Sequence, residues 1–349
     1  MMCCAMSRCS SCLDASTSRP PLSCVWRNAG ILTLPELILL RHGKAATGDA
    51  GEDLQRRLKT RGKRDIQRLG VWLVRQNMQP ELVLCSPAER ARTSAEKCAK
   101  AMALPCHRIR TDKAMYPGRM DALQRIVQTL PQRAKRVMLV GHNPGLEQLI
   151  AHFAGRAQQP TSLRTGSAAI VRSAAAWSAW REGCAQLMQL QRGRDLPELF
   201  PFPLERPSEQ RRRPAYYYRQ SSIVPYRIVE GHLEVLVTGS SGGKHPVIPK
   251  GIIEPGLSAL ESALKEAEEE AGAIGPALSP ALGHYVYEKW GAPIRVEVFA
   301  MQVDELLEAP RWTESQRGRA WLNLDQAKRA LAQKQLGPLL DALAQRLSV

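Results

Sequence analysis

The chain has 349 residues, 44% of them hydrophobic, enough apolar material for two cores, which excludes disorder throughout. Forty-nine Lys and Arg against 33 Asp and Glu leave a formal charge of +16, which favours anionic ligands such as phosphate esters, polyphosphates or nucleic acid. No apolar run reaches the length of a membrane span, residues 31–40 being short and interrupted by Pro35, so no membrane partner is expected.

Five of the nine cysteines, Cys3, Cys4, Cys9, Cys12 and Cys24, crowd into a Ser-, Arg- and Pro-rich start. Cys9-x2-Cys12 has no second pair at a matching distance, which argues against a metal knuckle. Residues 1–34 read as a disordered extension. Their acid-poor composition is compatible with an organellar transit peptide or with an upstream-extended gene model. Cys85, Cys98, Cys106 and Cys184 show no pairing pattern, as expected of a cytoplasmic protein.

Order is expected from residue 35. The apolar run 36–40 ends in Arg41-His42-Gly43; Leu82–Cys85 leads into Ser86-Pro87-Ala88-Glu89-Arg90-Ala91-Arg92-Thr93; residues 136–140 lead into Gly141-His142-Asn143-Pro144. Helical stretches fall between them at 61–75, 88–102 and 121–130. Strands alternating with helices predict an α/β domain, 35–192, with a largely parallel sheet covered on both faces. Its strand C-termini would collect a basic site. Strands at 167–173 and 184–191 around a turn at Trp177–Trp180 would close it.

These motifs, RHG, S-x3-R-A-x2-T and GHNPG in order, resemble the histidine phosphatase superfamily, in its short SixA-like phosphohistidine phosphatase form. The resemblance implies that His42 is the nucleophile that accepts phosphate, that Arg41, Arg90 and His142 hold the phosphoryl oxygens, and that no cofactor is needed. A neutral imidazole can attack phosphorus while fixed cations offset the charge on the transferring group. The general acid is not legible. Asp112 and Asp121 lie between the second and third motifs, and neither stands in a recognisable pattern.

Residues 193–215 carry five prolines and the run Arg211-Arg212-Arg213, the composition of a linker and more a solvated hinge than an RNA contact. Beyond it, 221–229 and 232–238 read as strands, 240–245 as a loop, 285–287 and 294–303 as further strands, and 324–331 and 336–347 as helices. Between them lies PKGIIEPGLSALESALKEAEEEAGA, residues 249–273. Ser258 and Glu261 form a capping box that starts a helix, Leu260, Leu264, Ala267 and Ala271 make its buried stripe, and Gly272 stands where a left-handed stop is wanted. Glu266, Glu269 and Glu270 converge at i, i+3 and i+4, a costly arrangement unless a cation neutralises it. Hard oxygen ligands in that number suit Mg2+ or Mn2+.

This stretch resembles the Nudix box, and residues 216–349 resemble a Nudix α/β/α sandwich with a mixed sheet. The resemblance makes Gly251, Glu266, Glu269 and Glu270 the metal site, with Glu266 a candidate base and Glu314 a further carboxylate. Three positions depart from the box: Leu257 for Glu, Lys265 for Arg and Ala273 for a bulky aliphatic. The first two normally pair across the junction of loop and helix, which leaves lost loop rigidity open here and does not imply lost metal binding. The RQSS-x2-PYR opening and Trp321 look closest to the diadenosine or diphosphoinositol polyphosphate hydrolase branch. Arg219, Lys244, His245 and Lys250 are candidate polyphosphate contacts.

The sequence therefore reads as a bifunctional phosphohydrolase: a phosphohistidine-intermediate phosphatase joined to a Mg-dependent pyrophosphohydrolase acting on a nucleoside or inositol polyphosphate. The alternative is a nucleotide-sensing protein with a degenerate Nudix domain and a phosphohistidine-protein or RNA partner. The intact glutamates weigh against it.

Overall fold

The apolar run Leu37–Leu40 lies in strand β1 (Glu36–Arg41), where all four side chains are fully buried because helices cover both faces of its sheet. The computed structural model describes residues 34–47, 50–155, 162–240, 242–243 and 245–349, so the extension expected at 1–34 lies almost wholly outside them. After β1 come α1 (Thr60–Arg75), β2 (Leu82–Cys85), α2 (Glu89–Ala101), β3 (Ile109–Thr111), α3 (Met120–Gln128), β4 (Arg136–Gly141), α4 (Gly145–Ala154), β5 (Ser167–Arg172) and β6 (Gln186–Arg192). They build a six-stranded sheet in the order β3-β2-β4-β1-β5-β6, parallel across its first four strands and antiparallel at β5 and β6. Leu37 and Leu39 face one core with α3 and α4, while Ile38 and Leu40 face the other with α1 and α2. Trp177 and Trp180, expected in a turn, are fully buried and stack 4.8 Å apart, closing the first of these cores. The parallel strands β1, β2 and β4 all end at one edge of the sheet, which brings the three motifs together.

The Pro- and Arg-rich stretch departs from expectation. It contains a hairpin, β7 (Phe200–Phe202) paired with β8 (Glu209–Arg211), and it packs instead of forming a solvated hinge. Phe200 is buried with Val71, Ala101 and Tyr216, the Arg211 guanidinium lies 3.5 Å over the Phe202 ring, and Gln67 donates to the Tyr216 hydroxyl at 2.6 Å. Proline count concealed the aromatic surface that this segment has to bury.

The second sheet has seven strands. The chain runs through β9 (Arg219–Val229), β10 (His232–Gly239), β11 (Pro246–Val247), β12 (Lys250–Ile252), α5 (Ala259–Glu266), β13 (Ala273–Ile274), β14 (Ala277–Lys289), β15 (Ala292–Gln302), β16 (Glu305–Leu306), β17 (Arg319–Asn323), α6 (Leu324–Ala330) and α7 (Leu336–Leu347). Its strands lie in the order β11-β10-β9-β15-β14, with β12 also paired to β9 and β17 to β10; only β9 and β15 run parallel, so the sheet is mixed. Ile223, Leu236 and Phe299 pack under α5, and Val224, Val235 and Val296 under α6 and α7, as strand alternation requires. The fold is thus α/β throughout, a mostly parallel sheet followed by a mixed one. Among the described residues no helix is long and apolar enough to cross a membrane.

Candidate active sites

At the edge where β1, β2 and β4 end, His42, Arg90 and His142 meet in a buried cluster. The nitrogen Nδ1 of His42 lies 2.8 Å from the Gly43 carbonyl oxygen. A carbonyl can only accept, so Nδ1 carries the proton, and Nε2 keeps its lone pair in the neutral ring. Burial, followed by the charges of Arg90, Arg41 and Arg56, pushes His42 down to about 4, which keeps it neutral at physiological pH. Arg90 Nε donates to that unprotonated Nε2 at 3.3 Å. The His142 ring lies 5.0 Å from that of His42, with Nε2 bonded to the Ser86 hydroxyl at 2.8 Å and Nδ1 buried without a partner. Burial, with His42 and Arg90 nearby, pushes His142 down to about 3. Arg41 donates to the Leu163 carbonyl at 2.9 Å, and its buried Nε is also unpartnered.

Sequence reasoning missed Asp53 and Tyr116. Asp53 accepts from Tyr116 Oη and Arg90 Nη2 at 2.7 Å each and from Arg56 at 2.9 Å, and its backbone carbonyl accepts from Arg90 Nη1. The bond from Tyr116, then those from Arg56 and Arg90, hold its carboxyl well below the usual carboxylate range. No local signal marks Asp53, since only the return of the loop after β1 puts it against α2. Asp112 caps a short turn at Ala114 N, and Asp121 pairs with Arg119 and Arg125 at the surface, so neither joins the cluster. Nearby, Lys44, Arg61, Arg64, Arg164, Arg192 and Arg194 line a groove of about 450 Å3, concentrating positive charge close to the phosphatase motif.

In the second sheet the capping box forms as expected, with Ser258 Oγ accepting from Glu261 N at 3.2 Å and Glu261 Oε2 from Ser258 N at 2.7 Å. The α-helix ends at Glu266, earlier than its sequence suggests, and residues 267–271 continue as one π-turn stopped by Gly272 at φ 60°. Such turns widen the helix and are frequent at functional sites. The carboxylate of Glu266 packs on the Gly251 α-carbon, where a Cβ would stand 1.7 Å from Oε1. Among the described residues it accepts no hydrogen bond and forms no ion pair; burial, then the charges of Glu270 and Glu269, push it up to about 7. Glu270 is engaged by Arg317 at 2.7 Å and by the Lys250 backbone N–H at 3.1 Å, and Arg317 also pairs with Glu314. Arg317, which the sequence reading did not pick out, thus draws Glu314 to the cluster from 44 positions beyond Glu270. Glu269 is half-exposed and leans to Lys265, 3.7 Å away.

Among the described residues no three carboxylates stand together at coordination distance. The donor set nevertheless fits a hard divalent cation, because Glu266 is half-buried without a hydrogen-bond or ion-pair partner among the described residues and a guanidinium occupies Glu270. The expected phosphate contacts divide. Lys250 is committed to Gln220 at 3.1 Å and the Tyr287 hydroxyl at 2.9 Å; His245 is exposed in the groove that also exposes Arg317; Arg219 lines a different cavity, with Lys100, Tyr216 and Glu254. Lys244 lies outside the described residues.

The pair that Leu257 cannot make between box loop and helix is replaced by another. Glu254, three residues before Leu257, supplies the missing carboxylate, accepting from Lys265 Nζ at 3.0 Å.

Comparison with known proteins agrees with both halves of this geometry. The NUDIX domain family model matches residues 219–343, and that of the histidine phosphatase superfamily (branch 1) matches residues 37–116. The chain is 34% identical over 136 residues to the mitochondrial Nudix hydrolase 18 of Arabidopsis thaliana, covering 36% of this chain and 76% of that protein. It is 33% identical over 96 residues to the asymmetrical bis(5'-nucleosyl)-tetraphosphatase of Sus scrofa, covering 27% and 65%. The solved structure of the protein histidine phosphatase SixA with tungstate covers 46% of this chain and 98% of its own at 25% identity and a TM-score of 0.40. The chain therefore belongs to the Nudix hydrolase family, with a histidine phosphatase superfamily domain fused ahead of its Nudix domain.

Proposed function

We propose that the protein is a bifunctional phosphohydrolase whose two centres work independently. The observation that carries this reading is the tautomer of His42: a neutral ring whose unprotonated Nε2 accepts from Arg90, close to His142, whose Nδ1 is buried without a partner. Attack by Nε2 on a terminal phosphoryl group forms the N–P bond as the ester or anhydride oxygen leaves; water then cleaves that bond and releases phosphate. Arg41, Arg90 and the free Nδ1 of His142 are the groups to hold the phosphoryl oxygens. Asp53, ionised, anchors Arg90 and Tyr116.

In the Nudix domain, Glu266, Glu269, Glu270 and Glu314, with the Gly251 backbone, would hold Mg2+ or Mn2+, an ion that supplies charge neutralisation and Lewis acidity at a diphosphate. Glu266, half-buried and drawn up towards neutrality, is suited to hold or release a proton there. His245, exposed in the groove that Arg317 also lines, is placed to meet a polyphosphate chain, while Arg317 is committed to Glu270 and Glu314. A nucleoside or dinucleoside polyphosphate is the substrate class favoured, in keeping with the tetraphosphatase relative. In series, the Nudix centre would cut an anhydride and the phosphatase trim the exposed terminal phosphate. A cytoplasmic setting suits the free cysteines Cys85, Cys98, Cys106 and Cys184.

The test measures phosphate and nucleotide release from dinucleoside tetraphosphates, nucleoside triphosphates, diphosphoinositides and a phosphohistidine peptide, with Mg2+ or with EDTA. EDTA and Glu269→Gln should silence only the Nudix reaction, and His42→Ala only phosphate release through an acid-labile phosphoenzyme. Loss of both activities in Glu269→Gln, in protein that melts normally, would refute two separate centres.

A further inference from the structure

We propose that Lys100, on the last turn of the phosphatase helix α2, is a positioning residue for the carboxylate site of the Nudix domain, which it reaches through Glu254. The inference rests on the metal-binding reading given above.

Glu254 lies in the loop between β12 and α5 with its side chain only 12% exposed, and a carboxylate so placed is stable only when paired. Its Oε1 accepts from two ammonium groups, Lys265 Nζ at 3.0 Å within the Nudix domain and Lys100 Nζ at 2.8 Å across the domain boundary. The Glu254 backbone N–H also donates to the buried Ser262 hydroxyl at 3.0 Å, tying the loop to the first turns of α5. Two residues before Glu254, β12 ends; its central residue is Gly251, the residue against which the Glu266 carboxylate rests. Lys265 has a second acidic neighbour, Glu269, at 3.7 Å.

One buried carboxylate thus sits between two cations, and one of those cations is shared with a candidate metal ligand. Without Lys100, Lys265 would be the sole cation on Glu254. It would be drawn away from Glu269, and the loop carrying Gly251 would lose its external anchor. Helix α2 is stiff, and its two ends serve different centres: Arg90 in the first turn meets His42, and Lys100, roughly 15 Å along at 1.5 Å per residue, meets the box loop. The Nudix domain therefore makes its own loop–helix pair, Glu254 with Lys265, and takes from its neighbour the second cation on that carboxylate.

The experiment uses the full chain and reads Mn2+ binding by electron paramagnetic resonance, together with the Mg2+ concentration for half-maximal nucleotide release. Lys100→Met and Glu254→Gln should each weaken Mn2+ binding by about tenfold, the low end for groups that orient metal ligands. The double variant should lose no more than Glu254→Gln alone, because that substitution already removes the contact with Lys100. Lys100→Arg should restore binding to within about twofold, while Lys100→Gln, polar but uncharged, should not. Labelling of His42 should be unchanged in each of the five variants, four single and one double, that folds. Mn2+ affinity in Lys100→Met or Lys100→Gln equal to that of the unmodified chain overturns the inference and leaves the metal site standing; equal losses in Lys100→Arg and Lys100→Met overturn it too, by showing that packing and not charge matters. Failure of the unmodified chain to bind Mn2+ removes the metal reading itself, and this inference with it.

Discussion

His42 combines two properties that usually conflict, a nucleophilic lone pair and a surround of guanidinium groups. Burial and those charges lower its pKa from 6.5 to about 4, so the ring binds fewer protons folded than unfolded and remains neutral throughout the physiological range. The rate of phosphoenzyme formation, measured by rapid mixing and alkaline quench, should therefore stay flat down to pH 5 and fall only as the pH drops through about 4. An acid limb near 6.5 would mean that the ring is not desolvated as the structure shows. In the proposed reaction Asp53 would act at one remove, through its bonds from Arg90 and Tyr116. Asp53→Asn removes the charge that holds Arg90 and Tyr116, so kcat/KM for phosphate release should fall by roughly 100-fold, the cost of displacing a catalytic group by about 1 Å. Substrate cleavage in the Nudix domain should be unaffected, and a variant that retains full phosphatase activity would show Asp53 to be a surface anchor only.

Among the elements, two close glycine contacts differ in what they press against. At Gly251 the obstacle to a Cβ is the far end of the Glu266 side chain, which can rotate away. At Gly145, the first residue of α4, the obstacle is the Gly118 carbonyl oxygen at 1.6 Å, which is backbone and cannot yield cheaply. Gly251→Ala should therefore leave the melting temperature nearly unchanged while reducing Mg2+-dependent turnover at least tenfold, as expected when a ligand's support is lost. Gly145→Ala should destabilise the fold by about 1–3 kcal/mol in denaturant titrations. The contrary pattern, a destabilised Gly251→Ala with full specific activity, would mean that this glycine serves packing and not the position of Glu266.

For the molecule as a whole, the stretch between the two sheets decides how tightly they are coupled. Phe200 is 2% exposed and touches residues of α1, α2 and the segment leading into β9. Phe200→Ala should cost about 3–5 kcal/mol, measured by urea unfolding followed at probes in both halves. A change of less than about 1 kcal/mol would restore the picture of a solvated hinge.

Much of this molecule is legible in its sequence because the information is local. The runs Leu37–Leu40, Leu82–Cys85 and Val137–Val140 are apolar at every position because strands covered wholly or largely on both faces leave no polar register, and the motifs follow them directly in the chain. Ser258, Glu261 and Gly272 state where a helix starts and stops through bonds that span only a few residues. What the sequence could not determine depends on approach over long separations. Asp53 reaches Arg90 because a loop folds back, Glu314 reaches Glu270 because Arg317 bridges them, and the aromatic residues of 200–218 outweigh their prolines once α1 and α2 offer a surface to bury them. The change of Leu257 and Lys265 from the box pattern suggested a weakened loop, and only the tertiary structure supplied the answer, since Glu254 and Lys100 are 154 residues apart and meet through packing that no local pattern encodes.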